Sequence, residues 1–284
     1  MDQQIIRLYD EYTHKPLSRQ EFISRLVLLT GSLAAAMTLL PSLEGNYAKA
    51  AVTSEDGLVT GYISYKGHND IEMKAYTARP KEEKTYPAVM VIHENRGLNP
   101  HIEDVTRRAA TAGYLAIAPN ALSPLGGTPA NEDEARDLFT KLNASETRLH
   151  FIKAFDYLAS RKDYSGKAGC VGFCWGGAMA NHLAVQVPTL KAAVAFYGRQ
   201  PEASEVSKIK AAVQLHYAGL DTRINEGMAT YEEALKQHNI TYEQYVYEGV
   251  NHAFHNDTSA SRYNEAAAKL AWQRTIDFFS RHLK

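Results

Sequence analysis

The sequence has few cysteines, almost no net charge and no long uninterrupted hydrophobic run, and each absence excludes a class of protein. Only Cys170 and Cys174 occur in 284 residues, which excludes a disulfide-framed secreted scaffold. No second Cys or His pair near them has the spacing of a zinc site, so we expect no metal. The 31 Lys and Arg residues against 32 Asp and Glu residues give no basic surplus for nucleic acid or an anionic membrane.

What the chain does contain is an ordinary globular composition, with 45% hydrophobic and 22% charged residues. Its length suits one large α/β domain with an additional terminal segment, or at most two small domains. A change in sequence character divides it into residues 1–50, which are helical or signal-like, and residues 51–284, which form the α/β domain. The composition neither indicates nor excludes a homodimer.

The N-terminal residues 1–50 combine a basic patch, an apolar stretch and a run of small residues, as a secretory signal does. Ala48, Lys49 and Ala50 form an A-x-A-like cleavage site. "SRQEFI" resembles a twin-arginine signal, but Gln20 replaces the second arginine. The apolar stretch is short and is interrupted by Ser, Thr and Gly, so we expect no stable membrane span.

The alternative for this segment is a retained amphipathic helix. Four apolar residues recur at spacings of three and four, which predicts one helical face covered by the body or by a partner subunit. These are Leu26, Leu29, Leu33 and Met37. We expect an intact N-terminus in the cytoplasm; export to the periplasm with a mature chain starting at Ala51 is the alternative.

From about residue 58 the pattern predicts a sheet. Two stretches that alternate apolar and polar residues are typical of antiparallel strands. They are followed by continuous apolar runs such as "AVMVIHE", "AGCVGFC" and "AAVAFYG", with amphipathic helices between them. Such runs are typical of parallel strands buried on both faces, so we predict a mainly parallel, doubly wound α/β sheet with helices on both faces.

The stretch 172–176 reads G-x-C-x-G and lies where a buried strand turns into a helix. This is a cysteine version of the nucleophile elbow of the α/β-hydrolase fold, in which a tight glycine-flanked turn exposes the nucleophile above the sheet. The N–H groups at the start of the following helix favour a thiolate there. We therefore interpret Cys174 as a nucleophile and Cys170, inside the strand, as a core residue.

A cysteine nucleophile needs a base, and the base needs a group to orient it. In the chain order of α/β hydrolases the acid follows the nucleophile and the histidine comes last. Asp221 in "LHYAGLDTRI" and His252 in "YVYEGVNHAFHND" both follow strands and fit that order. His216, inside its strand, and His255, further from the strand end, are weaker candidates.

Glu94 ends the first buried strand, where a carboxylate is costly unless it is solvated or paired. The loop after this strand supplies one oxyanion-hole N–H in α/β hydrolases. We therefore expect the backbone N–H groups of Asn95 and Trp175 to form the oxyanion hole.

Taken in order, "HENRGLN", "GFCWGG", "LDTRIN" and "GVNHAFH" resemble the dienelactone hydrolase (carboxymethylenebutenolidase) family of α/β hydrolases over residues 58–284. The resemblance implies a triad of Cys174, Asp221 and His252, with Glu94 as the resting partner of the thiol. It also implies that substrate displaces this glutamate, which then helps to generate the thiolate. Activated esters or lactones are the implied substrates, and no cofactor is needed.

The sequence departs from the family prototype in its arginines. Prototype members hold the substrate carboxylate with one arginine shortly after the histidine motif and another after the strand here ending "IAPN". "HAFHND" and "NALSPLGG" contain no arginine in these places. Arg96 and Arg199 are the candidate substitutes, and the alternative for both is an ordinary surface or loop-stabilising role.

These observations predict a cofactor-independent hydrolase of small carboxylic esters or lactones. Two rivals stay open at this point. One is a non-catalytic binding protein that retains the fold, since fold does not fix function. The other is a thiol acyltransferase or peptidase on the same scaffold.

Overall fold

The structure, a computed structural model, describes residues 1–45 and 52–284. The A-x-A-like site at residues 48–50 lies outside the described residues. Eight strands form one sheet in the order β1-β2-β4-β3-β5-β6-β7-β8. In chain order they are β1 (Leu58–Lys66), β2 (Glu72–Pro80), β3 (Tyr86–Ile92), β4 (Leu115–Pro119), β5 (Tyr164–Phe173), β6 (Ala192–Phe196), β7 (Ala212–Ala218) and β8 (Tyr242–Tyr247).

The pairing of the strands follows the two kinds of pattern in the sequence. The alternating strands β1 and β2 pair antiparallel, and β2 pairs antiparallel with β4. All the remaining pairs, from β4–β3 through to β7–β8, are parallel. Strands β4 and β6 are buried at every position, as expected for strands covered on both faces. The predicted α/β-hydrolase sheet is confirmed.

Helices cover both faces of this sheet. α6, α7 and α9 pack on one face around Phe151, Leu183 and Leu235, and α4 and α10 pack on the other around Ile102 and Phe278. The helices of this domain are α4 (Pro100–Thr111), α5 (Glu132–Phe139), α6 (Ala144–Ala159), α7 (Trp175–Gln186), α8 (Thr222–Asn225), α9 (Met228–Gln237) and α10 (Glu265–Leu283).

The carboxyl ends of the parallel strands meet at one edge of the sheet, where α/β proteins place their ligands. Glu94 follows β3 and Cys174 follows β5 directly. Asp221 follows β7, and His252 follows β8. The topology therefore brings together four residues that are far apart in the sequence.

The N-terminal segment forms three helices with a hydrophobic cluster of their own, in which Phe22, Leu26 and Leu43 are almost fully buried. The helices are α1 (Gln3–His14), α2 (Arg19–Thr30) and α3 (Leu33–Leu43). Each begins at a capping side chain, supplied by Asp2, Ser18 and Ser32 respectively.

The predicted single apolar face on this segment is wrong. The chain turns at Gly31, which has a positive φ of 79° and caps α2, so the apolar residues lie on two helices. Leu26 is buried, whereas Leu29, Leu33 and Met37 are 42%, 59% and 49% exposed. Among the described residues no single helix is both long and apolar enough to cross a bilayer, and α2 and α3 meet that test only together, bent by 113°.

Candidate active site

Cys174 occupies the turn between β5 and α7 in a backbone conformation that side chains rarely adopt. Its φ of 55° and ψ of −113° place it outside the helical and extended regions. It is the N-cap of α7, so its sulfur lies at the end of the helix where free N–H groups favour negative charge. The side chain is 8% exposed. This is the elbow that the G-x-C-x-G pattern predicts.

The glycines on either side have no room for a side chain. A Cβ at Gly172 would lie 1.8 Å from the Gly176 carbonyl oxygen, and one at Gly176 would lie 2.3 Å from the Ile92 carbonyl oxygen. Both obstacles are backbone atoms, which cannot move aside without shifting a strand or a helix. The close approach of β3, β5 and α7 therefore requires glycine at both positions.

His252 and Asp221 form a buried pair beside the elbow. The Nδ1 atom of His252 lies 2.5 Å from the Asp221 Oδ2 atom, and both residues are about 5% exposed or less. This contact directs the His252 Nε2 atom away from Asp221. Nε2 has no hydrogen-bond partner among the described residues, and a ring nitrogen of His252 lies within 4.8 Å of the Cys174 sulfur.

A second histidine, not singled out from the sequence, makes the direct contact with the sulfur. His14 ends α1, and its Nε2 atom lies 3.1 Å from Cys174 Sγ. Its Nδ1 atom lies 2.8 Å from the backbone carbonyl oxygen of Asp10 and 3.2 Å from the Asp10 carboxylate. The rings of His14 and His252 stand edge to face with centroids 4.7 Å apart.

The charges at this cluster favour a thiolate beside two imidazolium groups. Burial raises the pKa of a thiol, but the positive charges on His14 and His252 outweigh it and lower the Cys174 pKa to about 6. Burial lowers the pKa of an imidazole, but Asp10, Cys174 and Asp221 together raise the His252 pKa to about 10. Against the same effect of burial, Cys174 and Asp10 raise the His14 pKa.

The pKa values of the two aspartates shift in the opposite direction, downward. Burial opposes ionisation of Asp221, but the charge on His252 outweighs it and holds the Asp221 pKa below its usual value. Burial likewise opposes ionisation of Asp10, and the charges on His252 and His14 hold the Asp10 pKa far below its usual range. Two carboxyl groups, two imidazoles and one thiol thus form a single network of coupled charges.

Glu94 lies in a small cavity of about 30 Å³ next to Cys174. Its carboxylate accepts a hydrogen bond from Asn256 Nδ2 at 2.7 Å and faces the Tyr197 hydroxyl at 3.5 Å. The hydrogen bond recorded for the Cys174 sulfur goes to His14 rather than to Glu94. A role for Glu94 in tuning the thiol stays a prediction.

The expected oxyanion-hole residues flank the elbow. Asn95 follows Glu94 in the loop after β3, and its side-chain Nδ2 donates to the Thr13 carbonyl oxygen at 2.7 Å. Trp175 is the first residue of α7, where backbone N–H groups lack partners within the helix. Its indole ring stacks on His93 with centroids 5.4 Å apart. Both residues line the cleft that exposes Cys174.

That cleft has a volume of about 940 Å³ and lies between the N-terminal segment and the sheet domain. Apolar side chains from both sides form much of its wall, among them Leu17, Phe139 and Ile224. Arg199 lines it with an exposed side chain, for which no ion pair is recorded among the described residues. The cleft can therefore hold an apolar group and present a cation to a negative one.

The two arginines chosen from the sequence lie on different sides of Cys174. Arg96 lines the small cavity, and its Nη1 atom donates to the Asn95 side-chain oxygen at 2.9 Å. Arg262, absent from the sequence-based candidates, lines the same cavity, and its guanidinium lies over the Tyr9 ring at 4.9 Å.

Sequence reasoning missed Asp10 and His14 for one reason. Asp10 and His14 are four residues apart on a helix, so they share a face, but no sequence signal shows which surface that face contacts. Together with Cys174 and His252, His14 also forms the one group found among residues 1–45 and 52–284 whose donor atoms could hold a metal ion. The expectation of no metal stays a prediction.

Comparison with known proteins places this arrangement in a family. The model of the Dienelactone hydrolase family matches residues 73–283. A curated protein of Escherichia coli O157:H7, named "Putative carboxymethylenebutenolidase", is 34% identical over 246 residues, which cover 81% of this chain and 90% of that protein. A protein of the same name from Saccharolobus solfataricus is 32% identical over 248 residues, covering 74% of this chain and 94% of that protein.

A solved structure supports the same family assignment. The crystal structure of a "Putative Dienelactone Hydrolase" from Klebsiella pneumoniae is 31% identical, covers 79% of this chain and 99% of its own, and superposes with a TM-score of 0.71. The sequence match, the sheet order and the solved structure all agree. The chain belongs to the dienelactone hydrolase family of α/β hydrolases and is a hydrolase of lactones or esters.

Proposed function

We propose that this protein hydrolyses small carboxylic esters or lactones through a covalent thioester on Cys174, with His252 and Asp221 completing a Cys-His-Asp triad. One observation carries the proposal: the sulfur lies on a strained elbow at a cleft, beside an imidazole that a buried carboxylate orients. A binding protein has no need of this combination. Backbone strain of this kind costs free energy and clusters at active sites, where it is part of the mechanism.

In the first half-reaction the Cys174 thiolate attacks the substrate carbonyl carbon, and the carbonyl electron pair moves to oxygen. The backbone N–H groups of Asn95 and Trp175 are the donors proposed to hold this oxyanion. When the intermediate collapses, the carbon–oxygen bond to the leaving group breaks. The departing oxygen takes the proton from His252 Nε2, which leaves a thioester and a neutral imidazole.

In the second half-reaction the neutral His252 takes a proton from water, and the water oxygen attacks the thioester. Collapse of this intermediate expels the thiolate and releases the carboxylic acid. His252 is again an imidazolium, held by Asp221. The proton is balanced over the cycle, so the chemistry requires no cofactor.

The substrate is proposed to lie in the 940 Å³ cleft, with its apolar part against Phe139 and Ile224. Arg199 is proposed to attract a carboxylate on the substrate. Arg96 and Glu94 lie in the small cavity on the other side of the sulfur, which has room for little more than one water molecule. Glu94 is proposed to tune the thiol by adding negative charge near it.

A screen of p-nitrophenyl esters and small lactones tests the proposal, with Cys174→Ala as the control. We expect wild-type protein to release product with a burst equal to the enzyme concentration, and Cys174→Ala to show neither burst nor turnover. Cys170→Ala is the matched variant, since this residue is a fully buried core cysteine whose pKa burial raises well above its usual value. Turnover by Cys174→Ala, or none by wild type, would refute the proposed function.

We also propose that residues 1–45 stay attached in the working enzyme. Gln3 donates to Asn251 at 2.6 Å, and Arg19 pairs with Asp133 at 2.6 Å. These contacts support retention, because cleavage before Ala51 would remove the wall of the cleft formed by residues 13–18. N-terminal sequencing of untagged protein from its native host tests this, and a mature chain beginning at Ala51 would contradict it. A cytoplasmic location stays a prediction.

A further inference from the structure

Two histidines from opposite parts of the chain face one sulfur. His252 comes from the loop after β8, and His14 comes from the last turn of α1. Each has its Nδ1 atom held by an aspartate, at 2.5 Å from Asp221 and 3.2 Å from Asp10. In both cases this leaves Nε2 for the sulfur side. The active site thus has a second aspartate–histidine pair that the proposed triad does not use.

The second pair makes a direct contact with the sulfur. The His14 Nε2 atom is within hydrogen-bond distance of Sγ at 3.1 Å, whereas Nε2 of His252 has no hydrogen-bond partner among the described residues. A carbonyl oxygen 2.8 Å from the His14 Nδ1 atom accepts only from an N–H, so it fixes the proton on Nδ1. A neutral His14 can then accept the thiol proton at Nε2, and a protonated one donates to the thiolate.

We propose that His14 is a catalytic residue of this hydrolase, which holds Cys174 as a thiolate between turnovers and so leaves His252 free to carry the proton to the leaving group. The turnover part of this assignment rests on the proposed function. The thiolate part does not, because it concerns only groups within the protein.

The proton transfer within the pair is balanced. The S–H electron pair stays on sulfur, and the proton goes to His14 Nε2, giving a thiolate and an imidazolium with Asp10 as the counter-charge. When the thiolate attacks a carbonyl, its charge moves to the substrate oxygen, and His14 keeps its proton. Release of the thiolate from the thioester restores the ion pair. His14 therefore gives up no proton during turnover, while His252 gives and takes one in each half-reaction.

Other charged side chains lie near the same sulfur and also affect the stability of a thiolate there. Glu94 opposes a thiolate from the β3 loop, and Arg262 favours one from the loop before α10. Arg223 on α8 approaches Asp10 at 3.7 Å, which strengthens the anchoring of the α1 carboxylate in this site. These groups differ in sign, whereas the His14 Nε2 atom lies 3.1 Å from the sulfur, within hydrogen-bond distance.

The docking of α1 gives His14 a defined position. The Asn95 side chain donates to the Thr13 carbonyl oxygen next to His14, and the guanidinium of Arg136 stacks on the Tyr12 ring at 4.2 Å. The Tyr12 hydroxyl also donates to Asp133. Contacts of the two residues before His14 thus hold the end of the helix against the elbow.

The test is the pH dependence of Cys174 alkylation by iodoacetamide, read by mass spectrometry in the presence of EDTA to keep metal off the three donor atoms. We expect His14→Gln, which keeps an N–H donor but loses the charge, to move the midpoint upward by about one to two pH units. His14→Lys restores a positive charge and should return the midpoint toward the wild-type value. Asp10→Asn should give a smaller upward shift.

His238→Gln is the matched control, because it makes the same substitution at an exposed histidine at the end of α9, which lines neither of the two cavities beside Cys174. A midpoint that stays at the wild-type value in His14→Gln would overturn the assignment. Equal shifts in His14→Gln and His14→Lys would also overturn it, since the charge would then not be the cause.

The same preparations separate this inference from the proposed function. If wild type hydrolyses no ester or lactone but His14→Gln moves the alkylation midpoint, the hydrolase proposal fails and the thiolate assignment stands. If wild type hydrolyses esters and the midpoint does not move, the reverse holds. For the turnover part, the acid limb of kcat/KM should shift in His14→Gln by the same amount as the alkylation midpoint.

Discussion

The N-terminal segment and the sheet domain each present an aspartate-oriented histidine to the same sulfur, but they hold it in different ways. The sheet domain places Asp221 and His252 on loops fixed by β7 and β8, which are hydrogen-bonded neighbours in the sheet. The segment places Asp10 and His14 on one helix, which is docked by side chains such as Tyr12. The Asp221–His252 pair is therefore part of the sheet domain itself, whereas the Asp10–His14 pair lies on a helix that is docked against that domain.

This difference bears on what each histidine can do. A base that must accept and donate a proton in every turnover needs a fixed position, which hydrogen-bonded strands provide. A group that only balances the charge of a resting thiolate tolerates more movement, since a Coulomb interaction falls off slowly with distance. We therefore propose that His252, held by the sheet domain, carries the proton in each turnover, whereas His14, held on the helix, balances the charge of the resting thiolate.

The largest expected effect comes from removing the histidine of the sheet domain. We expect His252→Ala to lower kcat by at least about 10³-fold, because the leaving group and the water both lose their proton carrier. Adding Cys174→Ala should lower it little further, since the two residues act as one unit. Steady-state kinetics on the best ester of the screen measures both.

His14→Gln provides the comparison in the same assay and should cost far less than His252→Ala at a pH where the thiolate is still formed. If the two variants lose equal activity at pH 9, the two pairs share the proton transfer and the division of tasks is wrong.

The next effect tests whether the two regions fold as one unit. Phe22 is fully buried in the N-terminal cluster, and Phe278 is fully buried against the sheet. Truncating such a side chain to Ala costs about 3–5 kcal/mol. We expect Phe22→Ala to release the segment locally, so that protease cleaves within residues 1–45 while the melting temperature of the sheet domain stays unchanged.

Phe278→Ala is the matched change in the other region and should lower the main thermal transition. The released segment in Phe22→Ala should also raise the alkylation midpoint of Cys174 as His14→Gln does. A single transition that falls equally in both variants would show that the segment and the domain unfold together.

The sheet domain was largely predictable because its signals are local. Continuous apolar runs identified β3 to β7, and G-x-C-x-G identified the elbow, whose backbone the structure confirms at a φ of 55°. Asp221 and His252 could be chosen because the carboxyl ends of parallel strands meet at one edge. Their contact follows from topology, which the pattern of strands and helices specifies.

The N-terminal segment was less predictable because its structure depends on contacts distant in sequence. Apolar spacing suggested one long helix, but Gly31 ends α2 and turns the chain. The docking surface of α1 depends on single polar contacts, such as Thr13 with Asn95, which leave no periodic signal. His14 therefore could not be identified from the sequence as a site residue, although Asp10 and His14 stand at the i and i+4 positions of one helix.

The pH profile of kcat/KM depends on both histidines. In the proposed mechanism the Cys174 pKa of about 6 sets the acid limb, because protonating the thiolate removes the nucleophile as pH falls. The His252 pKa of about 10 sets the basic limb, because the imidazolium needed to protonate the leaving group is lost as pH rises. We expect a plateau between these values and a fall of about tenfold per pH unit outside it. An acid limb near 9.0, the ordinary thiol value, would show that neither histidine holds a thiolate.

The smallest expected effect concerns the cleft between the two regions. Arg199 is exposed at its wall, so its attraction for a substrate carboxylate is screened by water, and losing it should cost a modest amount of binding. We expect Arg199→Ala to raise KM about three- to tenfold for an ester that carries a carboxylate, with kcat unchanged. A neutral ester of the same size should show no change, because it presents no charge to the arginine. Arg25→Ala, on α2 and away from the cleft, controls for net charge. If Arg199→Ala changes both esters equally, the cleft binds by apolar contact alone, and the cation takes no part in selecting the substrate.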